Sequence, residues 1–150
     1  MQAFAIAPAT AKLLWFAPLL LLPLVIVLAV CILTLTGARG ARFEVGNDGL
    51  RLKGDFYGRF IPAEQLLAAE AQRVDFAASP HLAPTRRTWG TGLPGYQSGW
   101  FRLANGEKAL LYLTDRSRAV HVPTTAGYSV LVSPADPESF VSALRAIASR

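Results

Sequence analysis

The chain is poor in the residues that usually announce chemistry. It has one cysteine, Cys31, in 150 residues. No disulfide and no cysteine-based metal site can form within one chain on that count. It has two histidines, His81 and His121, far apart in sequence and without a neighbouring carboxylate pair, so a metal site is not expected. Charge of either sign is missing from Leu13 to Thr36, and all ten acidic residues come after that run. The rest carries +4, from 14 basic and 10 acidic residues. That is far from the dense basic stripe of a nucleic-acid binder, so nucleic acid is not an expected partner.

What is present is an uncharged, aliphatic-rich stretch of 24 positions, 13–36. As a helix it would rise roughly 36 Å at about 1.5 Å per residue, enough for a bilayer core of about 30 Å. The alternative is a cleaved signal peptide. The run is longer than the 7–15 residues of a signal's apolar core, begins after 12 residues, and ends in an exit that places Arg39 in the small-residue pattern. A retained, single-pass transmembrane helix is therefore expected, with the bilayer as its partner. Pro18 and Pro23 each remove a backbone hydrogen bond and can kink its first half, and Trp15 and Phe16 suit an interfacial belt. Lys12 stands alone on the near side, against Arg39, Arg42, Arg51 and Lys53 on the far side. The positive-inside rule then predicts a cytoplasmic C-terminal domain. The organisation read from these signals is a tail at 1–12, the helix at 13–36, a Gly/Ala/Arg hinge at 37–41 and one domain at 42–150.

Within the domain the period is mostly two. Residues 42–45 and 50–53 alternate around Gly46-Asn47-Asp48-Gly49, which predicts a β-hairpin. Residues 56–61 read as a strand stopped by Pro62, 63–71 as a helical turn, and 71–76 as a strand end. Residues 77–99 hold three prolines and four glycines and read as an irregular loop. A second hairpin is predicted from 100–103 and 109–113 around Asn105-Gly106, and further strands over 119–123 and 128–132. About seven or eight strands result, the count of a sandwich or small barrel. Then the period changes. Asp136 reads as an N-cap, Pro137 as the first helical residue, and Phe140, Val141, Leu144 and Ile147 as one apolar helical face.

Three patterns invite a chemical reading. Residues 90–95 match G-x-G-x-x-G, but Pro94 removes a donor and no helix follows, so a flexible loop is expected. Gly95-Tyr96-Gln97-Ser98-Gly99 holds its serine one place late for a nucleophile elbow. Residues 115–118 read as a solvated turn, and His121, between Val120 and Val122, as an outward-facing strand residue. No catalytic residue, cofactor or metal ligand is assigned, and an enzyme is not expected. Arg86 and Arg87 with Trp89, Tyr96 and Trp100 interleave cations and aromatics, as a loop that contacts a partner would. The plainer reading, which the residues favour, folds those aromatics onto the core. Arg39, Arg42, Arg51, Lys53 and Arg59 follow the anchor closely and are the candidate membrane-facing cations.

The order of strands followed by one amphipathic helix resembles a pleckstrin-homology-like (PH-like) domain of the bacterial membrane-associated kind. The residues that carry the resemblance are GWFRLANGEKALLY at 99–112, AVHV at 119–122 and VLVSPADPESF at 130–140, with Ile61-Pro62 earlier. It implies a mainly β fold: a sandwich or barrel of about seven strands with a C-terminal capping helix. It implies a bacterial inner-membrane protein with no catalytic residues, whose domain binds or assembles with another membrane or cytoplasmic protein. Recognition of anionic headgroups through Arg51, Lys53 and Arg59, or an accessory role beside a membrane enzyme with 77–99 as a lid, are the alternatives.

Overall fold

The computed structural model describes residues 17–54 and 56–149, without the side chains of 17–20 and 34–39. The tail, Lys12, and Leu13–Phe16 of the apolar run lie outside the described residues. The chain forms two compact units, 1–36 and 37–150.

Helix α1 runs Ala17–Gly40. Pro18 falls in its first turn, where the N–H has no helical partner, and Pro23 lies inside it. The helix continues through 37–40, so the expected hinge is helical up to the residue before Ala41. Its described side chains, 21–33, are all exposed. Among the described residues no helix is long and apolar enough to cross a membrane.

The second unit is mostly β, with nine strands in two sheets among the described residues. A three-stranded sheet has the order β1 (Arg42–Gly46), β2 (Gly49–Lys53) and β3 (Arg59–Pro62), all antiparallel. The first hairpin is where alternation placed it, with Asn47-Asp48 as its connection. Leu50, Leu52 and Ile61 point inward and are almost fully buried. Where a helical turn was expected, two 3₁₀ turns stand at Ala63–Gln65 and Ala68–Glu70. β4 (Gln72–Arg73) is only two residues long.

The larger sheet has six strands. Besides β4 they are β5 (Pro84–Leu93), β6 (Tyr96–Leu103), β7 (Lys108–Leu113), β8 (Val120–Pro123) and β9 (Ser129–Val132). The spatial order is β4-β8-β9-β7-β6-β5, antiparallel except for β7 and β9, which run parallel. Its central strands are covered on both faces. Leu110, Tyr112, Val120, Val122, Val130 and Val132 pack towards the small sheet and the last helix. Phe101, Leu103, Leu111, Leu113 and Leu131 pack on the other side under Val74, Phe76 and Leu82. Two buried faces explain why β7 and β9 are nearly continuous apolar runs.

Helix α2 (Pro137–Ala148) closes the domain. The Asp136 carboxylate accepts from the Ser139 N–H at 3.1 Å, as an N-cap should. Phe140, Val141 and Leu144 are buried, and Phe43 meets both Phe140 and Tyr112 edge-on at 6.1 Å.

Residues 77–99 are not a loop. They hold a 3₁₀ turn at Pro80–Leu82, all of β5 and the start of β6. The G-x-G-x-x-G stretch is the end of a strand and a two-residue turn, Pro94-Gly95, in which Gly95 takes φ +77°. Proline presets the first turn position and glycine supplies the positive φ of the second. Glycine-rich strands carry few side chains to alternate, so their period could not be read.

Candidate interaction surfaces

The five candidate membrane-facing cations do not form one patch. Arg42, Arg51 and Lys53 lie with Glu44 and Phe60 on the exposed face of the small sheet, since Arg42 faces Lys53 and Arg51 lies between Glu44 and Phe60 in the register. Lys53 pairs with Glu44 at 2.8 Å, and that bond holds the Glu44 carboxyl below its ordinary range. Arg51 pairs with Asp48 at 3.3 Å and lies over the Phe60 ring at 5.0 Å. Arg42 alone on this face has no carboxylate partner among the described residues. Two of three charges are thus neutralised locally, which lowers the field this face presents to an anionic surface. Arg59 points elsewhere. Its partner in the ladder, Leu52, is buried, and its guanidinium lies 5.2 Å from the Trp100 ring and 5.8 Å from Tyr128. Lys108 sits 4.3 Å from the same indole. Lys108 joins this cluster across the predicted β6–β7 hairpin, and Tyr128, just before β9, joins it through the pairing of β9 with β7. The side chain of Arg39 lies outside the described residues.

The expected partner loop is a strand pair. Arg86, Arg87 and Trp89 are exposed on β5, whose outer edge no other strand covers. Trp89 is 71% exposed and Leu93 48%. Tyr96 and Trp100 stand on β6. Tyr96 is buried beside Phe43 and Tyr112, and Trp100 is half-buried against the inter-sheet core. The group therefore divides: three residues face solvent and two face inward. Neither Arg86 nor Arg87 forms an ion pair among the described residues.

His121 corrects the sequence reading. It does not face outward. It is 6% exposed, and neither ring nitrogen has a hydrogen-bond partner among the described residues. The sheet is covered on both faces at β8, so Val120, His121 and Val122 are all buried. His121 forms the floor of a cleft of about 520 Å³, lined also by His81, Glu70, Gln72, Asn105 and Arg145. The two histidines, distant in sequence, thus share one cleft. The nearest carboxylate is Glu107, 3.9 Å from Nε2. No three metal-ligating side chains gather into a metal-holding group among the described residues.

Burial pushes the His121 imidazole below its ordinary 6.5, and His81 adds to this, while Glu107 and Glu70 oppose it. The unfolded chain therefore takes up this proton first as pH falls. Stability from the neutral buried ring is present above about 6.5 and is lost as pH drops towards the folded value. Glu44, Asp115 and Asp136 are held below the usual carboxylate range, by Lys53, Ser117 and Ser139 in turn, so their losses come at lower pH. The denaturation midpoint is expected to fall between pH 7 and 5, and His121→Leu to flatten that slope. An unchanged slope in the variant would assign the acid sensitivity elsewhere.

A second, open groove of about 660 Å³ lies between β1, the turn at Arg116–Arg118 and the start of α2. Its walls carry both signs of charge: Arg42, Glu44, Asp115, Arg118 and Asp136. Asp115 accepts from Ser117, and Arg118 donates to the Ala135 carbonyl, so these groups serve the turn itself.

The family model described as Bacterial PH domain matches residues 41–148. No curated protein and no solved structure matches the chain. The matched stretch begins one residue before β1 and ends with the last residue of α2, so it takes in both sheets and the closing helix. The chain belongs to the bacterial PH domain family.

Proposed function

We propose that this is a single-pass membrane protein whose PH domain has a non-catalytic binding or assembly role at the bacterial inner membrane. The observation that carries the reading is α1. Ten large aliphatic side chains between Leu21 and Leu33 are 53–67% exposed, and no described side chain of that helix is buried. A helix apolar on every side needs an apolar surrounding. Left in water, each such side chain forgoes about 1.5–3 kcal/mol of burial. The uncharged sequence extends beyond the described part, over 13–36. One flanking cation against four supports a cytoplasmic domain, and its partner would be another membrane or cytoplasmic protein.

The chain is expected to stay in the membrane pellet through an alkaline carbonate wash. A phosphatase that is active only in the periplasm, fused after Arg150, is expected to be inactive. Release by carbonate would remove the anchor from this reading, and an active fusion would reverse the orientation.

A further inference from the structure

The edge of the six-stranded sheet at β5 is long and exposed. Ordinary edge strands are short, charged, bulged or covered, because open N–H and C=O groups recruit other strands. β5 has ten residues. Its first half is guarded by Arg86 and Arg87 and by irregular register between Pro84 and Arg86 and between Arg87 and Trp89. Its second half is not. From Trp89 to Leu93 the pairing with β6 is regular, and no charged residue occurs from Thr88 to Phe101.

The side chains along that half have a telling order. Trp89, Thr91 and Leu93 lie opposite Trp100, Ser98 and Tyr96, so they share one face of the sheet, and on the other face Gly90 and Gly92 have no side chains and the Arg87 side chain lies along Gly92. In an antiparallel pairing of this edge with itself, centred on Thr91, each Trp89 stands opposite the other copy's Leu93. Gly90 stands opposite Gly92, and Thr91 opposite Thr91. Both exposed apolar side chains are then covered at once, and a Thr–Thr pair sits on the two-fold axis, a favourable cross-strand match. Arg86 lies at one end only, so the two-fold carries its two copies to opposite ends, while the Arg87 side chain runs along the glycine face as far as Gly92, away from the face that carries Trp89, Thr91 and Leu93.

We propose that a second copy of this chain pairs along β5, through Trp89–Leu93 in that antiparallel register, and joins two six-stranded sheets into one. Few residues pair, so the contact is smaller than the about 1,200–2,000 Å² of stable interfaces. Confinement of both copies to one bilayer raises their effective concentration. The strength of the contact therefore rests on the anchoring proposed above, whereas its geometry does not.

The test uses the full chain. Cys31 is its only cysteine, so a Cys31→Ala background is silent to oxidation. In an antiparallel pair, opposed Cα atoms lie about 4.5–5.5 Å apart, within disulfide reach. Thr91→Cys in that background is expected to give a disulfide dimer on mild oxidation of membranes. Thr85→Cys, six residues from the axis and so roughly 40 Å from its copy at about 3.3 Å per residue, is expected to stay monomeric. No Thr91 dimer in a chain that resists carbonate overturns the pairing and leaves the anchor standing. Equal cross-linking at 85 and 91 also overturns it, as random collision. If carbonate releases the chain, the anchor reading fails, and the same two variants, oxidised as purified protein, decide the pairing. Thr91→Lys, which opposes two ammonium groups on the axis, is expected to lower energy transfer between labelled copies reconstituted in one vesicle, with an unchanged circular dichroism spectrum. A Thr91→Lys dimer as tight as the parent would sink the register.

Discussion

Replacing Gly99 by valine is expected to destabilise the domain by about 2–6 kcal/mol, enough to unfold a marginally stable fold. Gly99 lies buried on β6 at φ +113°, directly across from Gly90 at φ +141°. A Cβ on Gly99 would come within 2.5 Å of the Trp89 carbonyl oxygen and 2.7 Å of the Gly90 Cα. Both neighbours are backbone, so neither can swing aside as a side-chain tip could. Relief would require β5 and β6 to part, with loss of the ladder that holds β5 in place. A β-branched residue also resists the positive φ itself. Gly92, on β5 two residues after Gly90, provides the contrast. A Cβ there would meet only the Arg87 side chain, at 3.5 Å and 3.8 Å, and the far edge of the Phe101 ring at 3.8 Å. Gly92→Ala is therefore expected to be near neutral. Guanidinium titrations of the full chain in detergent, followed by tryptophan fluorescence, would compare the two. Equal midpoints for both variants would show that the Gly90–Gly99 approach is not a constraint.

Truncating Leu110 or Leu111 to alanine is expected to cost about 2–5 kcal/mol each. The point lies in the pair. Successive residues of a strand face opposite sides, so in a half-exposed sheet one of two neighbours would be cheap to change. Here both are 0% exposed. Leu110 packs between the two sheets with Val122 and Leu144, and Leu111 packs on the far side with Phe101 and Leu131. β7 also has strands on both flanks, β6 and β9, so neither cavity can close by a simple outward shift. On β2 the same experiment should divide sharply. Leu50→Ala removes a fully buried side chain, while Arg51→Ala loses an exposed ion pair worth at most about 1 kcal/mol. If Leu111→Ala proved as mild as Arg51→Ala, the cover over the far face, from Val74, Phe76 and Leu82, would be too thin to exclude water.

Elements whose signals are local were legible. The first hairpin shows in the alternation of 42–45 and 50–53 around two turn residues. The helix at Pro137–Ala148 shows in Asp136, Pro137 and the spacing of Phe140, Val141 and Leu144. The family shows in a few motifs of 99–140. The strand pair β5–β6 was not legible over 84–99, because glycines replace the side chains whose alternation marks a strand. What holds it is glycine facing glycine across two strands, a non-local fact. The candidate sites fared likewise. Arg86, Arg87 and Trp89 were singled out by composition, but which of the group stay in solvent is decided by which strand forms the edge.

The sequence by itself determined the uncharged run at 13–36, the mildly basic domain after it, its mainly β character and its closing helix, since each follows from neighbours a few residues apart. Only the tertiary structure decided that the central strands of the six-stranded sheet are covered on both faces, that His121 lies at the bottom of a cleft with His81, and that β5 ends the sheet. The reason is that burial and edges depend on which strands lie side by side. That order, β4-β8-β9-β7-β6-β5, brings together residues 72 and 121, and 109 and 129, which no local pattern connects.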